Sequence, residues 1–139
     1  MIKRVHHIGI AVKSLDEATA MYQNGLGLQV SKVTASEKDG VKIAFLPTDE
    51  AELELLEPVS PTSSIARFLE TRGEGIHHIA LEVDNIEAHL RQLEAAGAVL
   101  IDKTPRQGAD GLVAFVHPKS MKGVLVELVQ REPDTAAHQ

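Results

Sequence analysis

The sequence predicts an α+β fold made of two tandem βαβββ modules. Three observations support this class: nearly the same phrase opens both halves, a helical pattern follows each copy, and the two halves end alike. The first phrase is VHHIGIAV at residues 5–12, and the second is IHHIALEV at residues 76–83. One offset of 71 residues aligns the two phrases and also places Ser14 on Asn85.

The length and composition suit one domain. The chain has 139 residues and is 43% apolar, which is enough to build one hydrophobic core. We expect a single domain over residues 1–131, followed by a frayed tail with little apolar content. Its parts are module one at 3–58, a linker with a short helix at 59–74, module two at 75–130, and the tail at 132–139.

A helix with a capping signal follows the first strand of each module. Ser14 with Glu17 has the spacing of a capping box, and Asp84 with Glu87 makes the related pair in module two. The linker helix has Ser63 or Ser64 as its cap. Glycines are expected to end the three helices: Gly25 and Gly27 end the first, Gly73 ends the linker helix, and Gly97 ends the helix of module two.

Three further strands complete each module. We predict them at 28–34, 41–47 and 52–57 in module one, and at 98–103, 112–117 and 123–130 in module two. The ends of the two modules match, because LELLEP at 53–58 resembles VELVQREP at 126–133. This match pairs Glu54 with Glu127.

Strand alternation places one histidine and one glutamate of each module on the less bulky face of its strands. In module one these are His7 and Glu54, and in module two they are His78 and Glu127. Two imidazoles and two carboxylates suit a divalent first-row ion such as Co²⁺, Mn²⁺, Fe²⁺, Ni²⁺ or Zn²⁺. The neighbouring His6 and His77 point to the helix-packed side, so we expect them to be structural residues, with support of the ligands as the alternative.

The bulk composition excludes several functions. There are no cysteines, so disulfides and thiolate metal sites are excluded. No apolar run is long enough for a membrane span, and we expect a cytoplasmic protein with no membrane partner. The net charge of −6 and the 3% aromatic content argue against nucleic-acid binding. An anionic substrate must therefore find locally positive groups.

The motifs resemble the vicinal oxygen chelate superfamily, and within it the methylmalonyl-CoA epimerase family, over about residues 3–130. The stretches that carry the resemblance are HHIGIAV, MYQNGLGLQV, LELLEP, GEGIHHIALEV and HPKSMKGVLVEL. The resemblance implies a cup formed by the two modules, a homodimer and an acyl-CoA substrate. It also implies one divalent metal ion per chain, with cobalt favoured, held by His7, Glu54, His78 and Glu127.

The reaction implied by the resemblance interconverts (2R)- and (2S)-methylmalonyl-CoA through removal and return of the α-proton. Some members carry a basic glutamate three residues after the glycine that here is Gly40, but this chain has Ile43 there. Glu54 and Glu127 are then the candidate pair of catalytic bases. The alternative is that both are plain ligands and that a water or another residue carries one proton.

The sequence indicates the residues that bind the CoA portion of the substrate only weakly. Lys119 and Lys122 lie in the turn HPKSMKG at 117–123 and are candidates for binding the substrate carboxylate or a phosphate. A solvated turn with two lysines is the alternative. The glycine-rich loop PRQGADG at 105–111 is expected to border the pocket, although it lacks the phosphate-loop pattern.

Two other classes of function stay open at this point. The first is another metal enzyme of the same fold, such as a glyoxalase-type lyase or an extradiol-type dioxygenase. The second is a metal-free binding protein of that fold. Glu54 counts against a dioxygenase, which presents two histidines and one carboxylate to iron, and the quartet of ligand types counts against a metal-free protein.

Overall fold

The computed structural model of the chain describes residues 1–108 and 111–132. Its elements follow the predicted order, βαβββ, a linker helix, and βαβββ again, so the α+β class is confirmed. The predicted tail lies outside the described residues except for Glu132, and so do two positions of the predicted loop at 105–111. The elements are β1 Ile2–Ala11, α1 Leu15–Leu26, β2 Lys32–Ser36, β3 Val41–Pro47, β4 Glu52–Pro58, α2 Ser64–Arg72, β5 Gly75–Val83, α3 Ile86–Ala95, β6 Arg106–Gln107, β7 Gly111–Val116 and β8 Leu125–Arg131, with a 3-10 helix at Pro118–Met121.

The chain divides into two compact units. The continuous unit is His7–His78, and the split unit consists of Met1–His6 together with the described residues from Ile79 onward. Strands β1 and β5 each contribute residues to both units. Each unit is described by itself below.

In the continuous unit the strand order is β2-β3-β4-β1. Strand β1 is parallel to β4, whereas β3 is antiparallel to both β2 and β4. Helix α1 covers one face through a buried apolar cluster, and α2 covers part of the other. The first cluster comprises Val12, Leu15, Ala44, Leu46 and Leu55, and the second comprises Ala11, Val41, Leu56 and Ile65. Burial of these side chains is the main source of the unit's stability.

In the split unit the strand order is β5-β8-β7-β6. Strand β7 pairs antiparallel with both β8 and β6. Helix α3 packs on one face, and a smaller apolar cluster lies on the other. The α3 cluster comprises Val83, Ile86, Leu90, Ala114 and Leu128, and the smaller cluster comprises Ala80, Val113 and Val129.

The observed caps of α1 and α3 are the two residues that the repeat aligns, and only the first of them agrees with the capping-box prediction. Ser14 accepts a hydrogen bond from the Glu17 amide, and Asn85, its counterpart in the repeat, accepts one from the Ala88 amide. The prediction of Asp84 as the second cap is wrong. The Asp84 carboxylate instead binds the N-terminal ammonium group at 2.6 Å, and the cap passes to the next residue.

The linker helix agrees with its prediction. Ser63 caps α2 by accepting from the Ala66 amide, and the helix ends at Gly73. Helix α1 ends at Gly27, whose φ of 78° lies in the left-handed region that favours glycine.

The strand predicted at 98–103 is wrong. Leu100 forms only an isolated bridge with Val116, and the short β6 begins later, at Arg106. The reason is that a side chain takes the place of a backbone acceptor. Asp102 Oδ2 accepts a hydrogen bond from the Phe115 amide at 2.8 Å. Strand β2 is also shifted, since it begins at Lys32 and not at residue 28.

Among the described residues, no helix combines the length and the apolar character needed to cross a membrane.

Candidate functional site

Three predicted ligands lie together in the continuous unit. His7 Nε2 is 3.1 Å from His78 Nε2, and His7 Nδ1 is 3.4 Å from Glu54 Oε2. All three residues are buried, with 6–7% of their surface exposed. Each offers one ligand atom, and these atoms lie within 4.8 Å of one another.

The strand register explains how the cluster forms. In the parallel pair of β1 and β4, Glu54 lies beside Gly9, which is two residues beyond His7 and therefore on the same face. The ring of His78 covers Gly9, since a β-carbon at residue 9 would lie only 2.2 Å from His78 Cε1. Gly9 is not among the glycines with positive φ. Its lack of a side chain is therefore a requirement of space and not of backbone conformation.

The chemistry of the cluster fits a divalent cation. Two imidazoles and a carboxylate converge in a buried position, where an unpaired carboxylate would be costly without a positive partner. Imidazole and carboxylate donors together suit first-row divalent ions. The cluster is therefore a candidate metal site, and its donor set does not identify the metal.

His77 contacts the cluster from outside it. Its Nδ1 is 3.0 Å from His78 Nδ1, and its ring packs edge-on against Phe68 of α2 with the centroids 5.0 Å apart. A neighbour that hydrogen-bonds the second ring nitrogen orients a ligand histidine. Such a role for His77 was the alternative to a purely structural one, and it stays a prediction. His6 lies in the split unit and is partly buried.

The fourth predicted ligand, Glu127, lies in the split unit. It is 9% exposed and sits on β8 directly opposite Phe115 of β7. Glu54 has the same setting in its own unit, opposite Phe45 of β3. That Glu127 joins the other three ligands stays a prediction.

Ile43 occupies the position at which some members of the resembling family carry a basic glutamate. It is opposite Leu56 and packs against the apolar cluster beneath α2. An isoleucine has no ionisable group, so this position cannot transfer a proton.

The two predicted substrate lysines are exposed. Lys119 lies in the 3-10 helix, where its amide donates to His117 Nδ1, and Lys122 follows it with a left-handed φ of 58°. Their role in substrate binding stays a prediction.

A buried acid that the sequence did not single out as functional is Glu82 on β5. Its carboxylate accepts a hydrogen bond from Arg4 Nε at 2.9 Å, and Lys3 Nζ and Arg131 Nη1 lie 3.8 Å away. Burial opposes ionisation of Glu82, but the hydrogen bond from Arg4 and the charges of Arg4, Arg131 and Lys3 outweigh it and lower the pKa. Strand alternation in β5 predicts the face on which Glu82 lies. It does not predict the cationic partners, because they are remote in sequence.

The continuous unit also has a cavity of about 470 Å³ at the carboxyl end of β1. Ala11, Lys13, Tyr22 and Glu74 are among the residues that line it, but His7, Glu54 and His78 are not. The cavity is therefore distinct from the candidate metal site.

Comparison with known proteins adds family and substrate information. Residues 6–115 match the profile of the glyoxalase/bleomycin resistance protein/dioxygenase superfamily. The chain is 44% identical to an ethylmalonyl-CoA/methylmalonyl-CoA epimerase of Cereibacter sphaeroides, over 94% of this chain and 99% of that protein. A crystal structure of methylmalonyl-CoA epimerase from Mycobacterium tuberculosis is 36% identical, with a TM-score of 0.87 over 98% of this chain and 93% of that one. A Streptomyces coelicolor methylmalonyl-CoA epimerase variant in complex with 2-nitronate-propionyl-CoA is 34% identical, with a TM-score of 0.86 over 96% of this chain and 100% of that one.

Proposed function

The chain belongs to the glyoxalase/bleomycin resistance protein/dioxygenase superfamily, which has the vicinal oxygen chelate fold, and we propose that it is an epimerase that interconverts (2R)- and (2S)-methylmalonyl-CoA. The observation that carries the proposal is 44% identity to an epimerase of this class over nearly the whole of both chains. The cluster of His7, Glu54 and His78 adds a site with suitable chemistry.

The candidate metal site would supply the electrophilic part of the chemistry. His7, Glu54 and His78 would hold the ion, together with Glu127 as the proposed fourth ligand. The chemistry that a divalent ion would supply there is polarisation of the thioester carbonyl and stabilisation of the negative charge that develops when the α-proton leaves.

Glu54 and Glu127 are the proposed acid and base. One carboxylate takes the α-hydrogen as a proton, and the electron pair of the C–H bond moves toward the thioester oxygen. The other acid, already protonated, returns a proton to the opposite face of the same carbon, so that the configuration inverts. Residue 43 offers no alternative base, because isoleucine has no ionisable group.

Proton NMR in D₂O tests the proposed function. We expect metal-loaded protein to exchange the α-hydrogen of methylmalonyl-CoA for deuterium, and to convert one pure stereoisomer to the equilibrium mixture. A chelator should stop both reactions. Retention of the α-hydrogen by fully metallated protein would reject the epimerase. It would favour a glyoxalase-type lyase, an extradiol-type dioxygenase or a binding protein of this fold.

Three finer parts of the proposal have their own tests. Cobalt as the preferred ion is tested by comparing activity after loading with Co²⁺, Mn²⁺, Ni²⁺, Fe²⁺ or Zn²⁺. A homodimer is tested by sedimentation, and a cytoplasmic location by cell fractionation. The substrate is a small acyl-CoA, and no nucleic acid or membrane partner is proposed.

A further inference from the structure

A row of side chains crosses the continuous unit and ends at the candidate metal site. Lys32 of β2 lies opposite Phe45 of β3, Phe45 lies opposite Glu54 of β4, and Glu54 lies beside Gly9 of β1. Directly paired residues of neighbouring strands project to the same face of a sheet. The row therefore places the Lys32 side chain on the face that carries Glu54 and, over Gly9, the ring of His78.

The ammonium group of Lys32 makes a cation–π contact with an aromatic ring. Its Nζ lies 4.8 Å from the centroid of Phe45, a distance at which the ring face attracts a cation. Within residues 1–108 and 111–132, the Lys32 ammonium group forms no ion pair with a carboxylate. A ring attracts the ammonium without cancelling its charge, and the charge remains available to an anion on this face.

A similar contact between a cation and a phenylalanine ring occurs in the split unit. The Arg106 guanidinium lies 5.4 Å from the centroid of Phe115, and Phe115 is directly opposite Glu127. A cation over a phenylalanine ring thus accompanies each of the two acids that the sequence repeat pairs. The two units differ in two respects: Arg106 is paired with Val113 and not with Phe115, and its Nε donates a hydrogen bond to Asp102 Oδ1 at 3.1 Å. Lys32 is the cation whose charge is not already neutralised.

We propose that Lys32 binds the free carboxylate of the substrate and thereby selects carboxylated acyl-CoA thioesters. This inference rests on the proposed function for the identity of the substrate. The carboxylate of a malonyl-type thioester is attached to the carbon that loses its proton, so the group that binds it must lie close to the catalytic acid. The Cα atoms of Lys32 and Glu54 are two strand spacings apart, roughly 10 Å, and the long lysine side chain shortens this gap. In a chain with a net charge of −6, such a local cation is what an anionic substrate requires.

Calorimetry with two thioesters that differ only in the carboxylate tests the assignment. Metal-loaded wild type and Lys32→Met are titrated with methylmalonyl-CoA and with propionyl-CoA. We expect Lys32→Met to weaken methylmalonyl-CoA binding about tenfold, the scale of one lost hydrogen bond to a charged group, and to change propionyl-CoA binding less than about twofold. Lys32→Arg keeps the charge and should retain most of the selectivity.

Lys42→Met is the matched control. Lys42 is an exposed lysine on β3 whose position alternates with Phe45, so it projects to the opposite face of the same sheet. Its replacement removes the same charge, and neither affinity should change. If the Lys32→Met and Lys42→Met proteins weaken methylmalonyl-CoA binding equally, the effect is one of net charge and the proposal is rejected.

Two further outcomes would overturn the role of Lys32. Equal weakening of both thioesters by Lys32→Met would place its contact on the CoA portion, and unchanged affinities would show no contact at all. The kinetic counterpart is a raised KM for methylmalonyl-CoA with a smaller change in kcat. Failure of the proposed function is recognised separately, because wild-type protein would then leave the α-hydrogen of methylmalonyl-CoA in place, whatever the calorimetry shows.

Discussion

The imidazole of His78 occupies the space that a side chain at residue 9 would need. A β-carbon on Gly9 would lie 2.2 Å from Cε1, 2.5 Å from Nδ1 and 2.8 Å from Nε2 of that ring. Real β-carbons do not approach other heavy atoms so closely, so His78 keeps its position only while residue 9 is glycine. A residue with no chemistry of its own thereby becomes a requirement of the candidate metal site.

Gly9→Ala should therefore weaken metal binding. We expect the added methyl group to displace the His78 ring and to lower affinity for Co²⁺ at least tenfold, the scale seen when a ligand loses its orientation. Gly25→Ala is the control, since it adds a methyl group in helix α1, where alanine is favoured over glycine. Calorimetric titration of both apoproteins gives the comparison, and equal Co²⁺ affinities would contradict the steric argument.

Replacing the ligand histidines should remove most of the bound metal. The wild-type chain is expected to bind one divalent ion, whereas His7→Ala and His78→Ala each delete an imidazole donor from the buried cluster. His6→Ala deletes a histidine adjacent in sequence but opposite in strand alternation, and it should keep the ion. Metal content after dialysis, measured by elemental analysis, decides the matter. Full occupancy in both ligand variants would move the site elsewhere.

The repeat carried most of what the sequence could predict. It paired His7 with His78 and Glu54 with Glu127, and strand alternation assigned these pairs to one kind of face without any knowledge of contacts. The cluster of His7, Glu54 and His78 agrees with that assignment. The resemblance between the phrases also matched Ser14 with Asn85, which are the observed N-caps of α1 and α3.

The features that sequence reasoning missed depend on contacts between remote residues. The fit of His78 over Gly9 joins two strands, and no local pattern records it. The strand predicted at 98–103 is absent because the Asp102 side chain takes the Phe115 amide that a backbone carbonyl would otherwise bind. Periodicity reports which side chains are buried. It does not tell when a side chain replaces a backbone carbonyl as a hydrogen-bond acceptor.

Glu82 gives a prediction about stability and pH. Its pKa in the folded protein is below its ordinary value of 4.5, because the hydrogen bond and the charges of its cationic partners outweigh the effect of burial. A lowered folded-state pKa stabilises the fold above the unfolded pKa, and this contribution is lost as the pH falls through the folded value. Glu82→Gln should therefore cost about 1 kcal/mol near neutral pH, since the three cations are about half exposed and screened by solvent.

Denaturant unfolding at several pH values measures this effect. The stability difference between wild type and Glu82→Gln should be constant above about pH 5 and should narrow below the ordinary glutamate pKa. Glu70→Gln removes one charge from an exposed position on α2, and it should show neither the loss nor the pH dependence. A stability difference that persists unchanged into acid would show that Glu82 acts through packing and not through its charge.

Glu54→Gln separates the two roles proposed for Glu54. The amide keeps an oxygen of nearly the same shape for a metal ion but cannot accept the α-proton. Metal binding should survive, while inversion of methylmalonyl-CoA falls about 10²-fold or more, the usual scale for a lost general base. Exchange of the α-hydrogen of one stereoisomer should persist, because the proposed partner acid Glu127 still serves one face of that carbon.

The measurement is deuterium exchange and inversion on each pure stereoisomer, with metal occupancy determined on the same samples. Near wild-type inversion by a fully metallated Glu54→Gln protein would leave Glu54 as a ligand only. The second proton would then have to come from a bound water or from another side chain on this face.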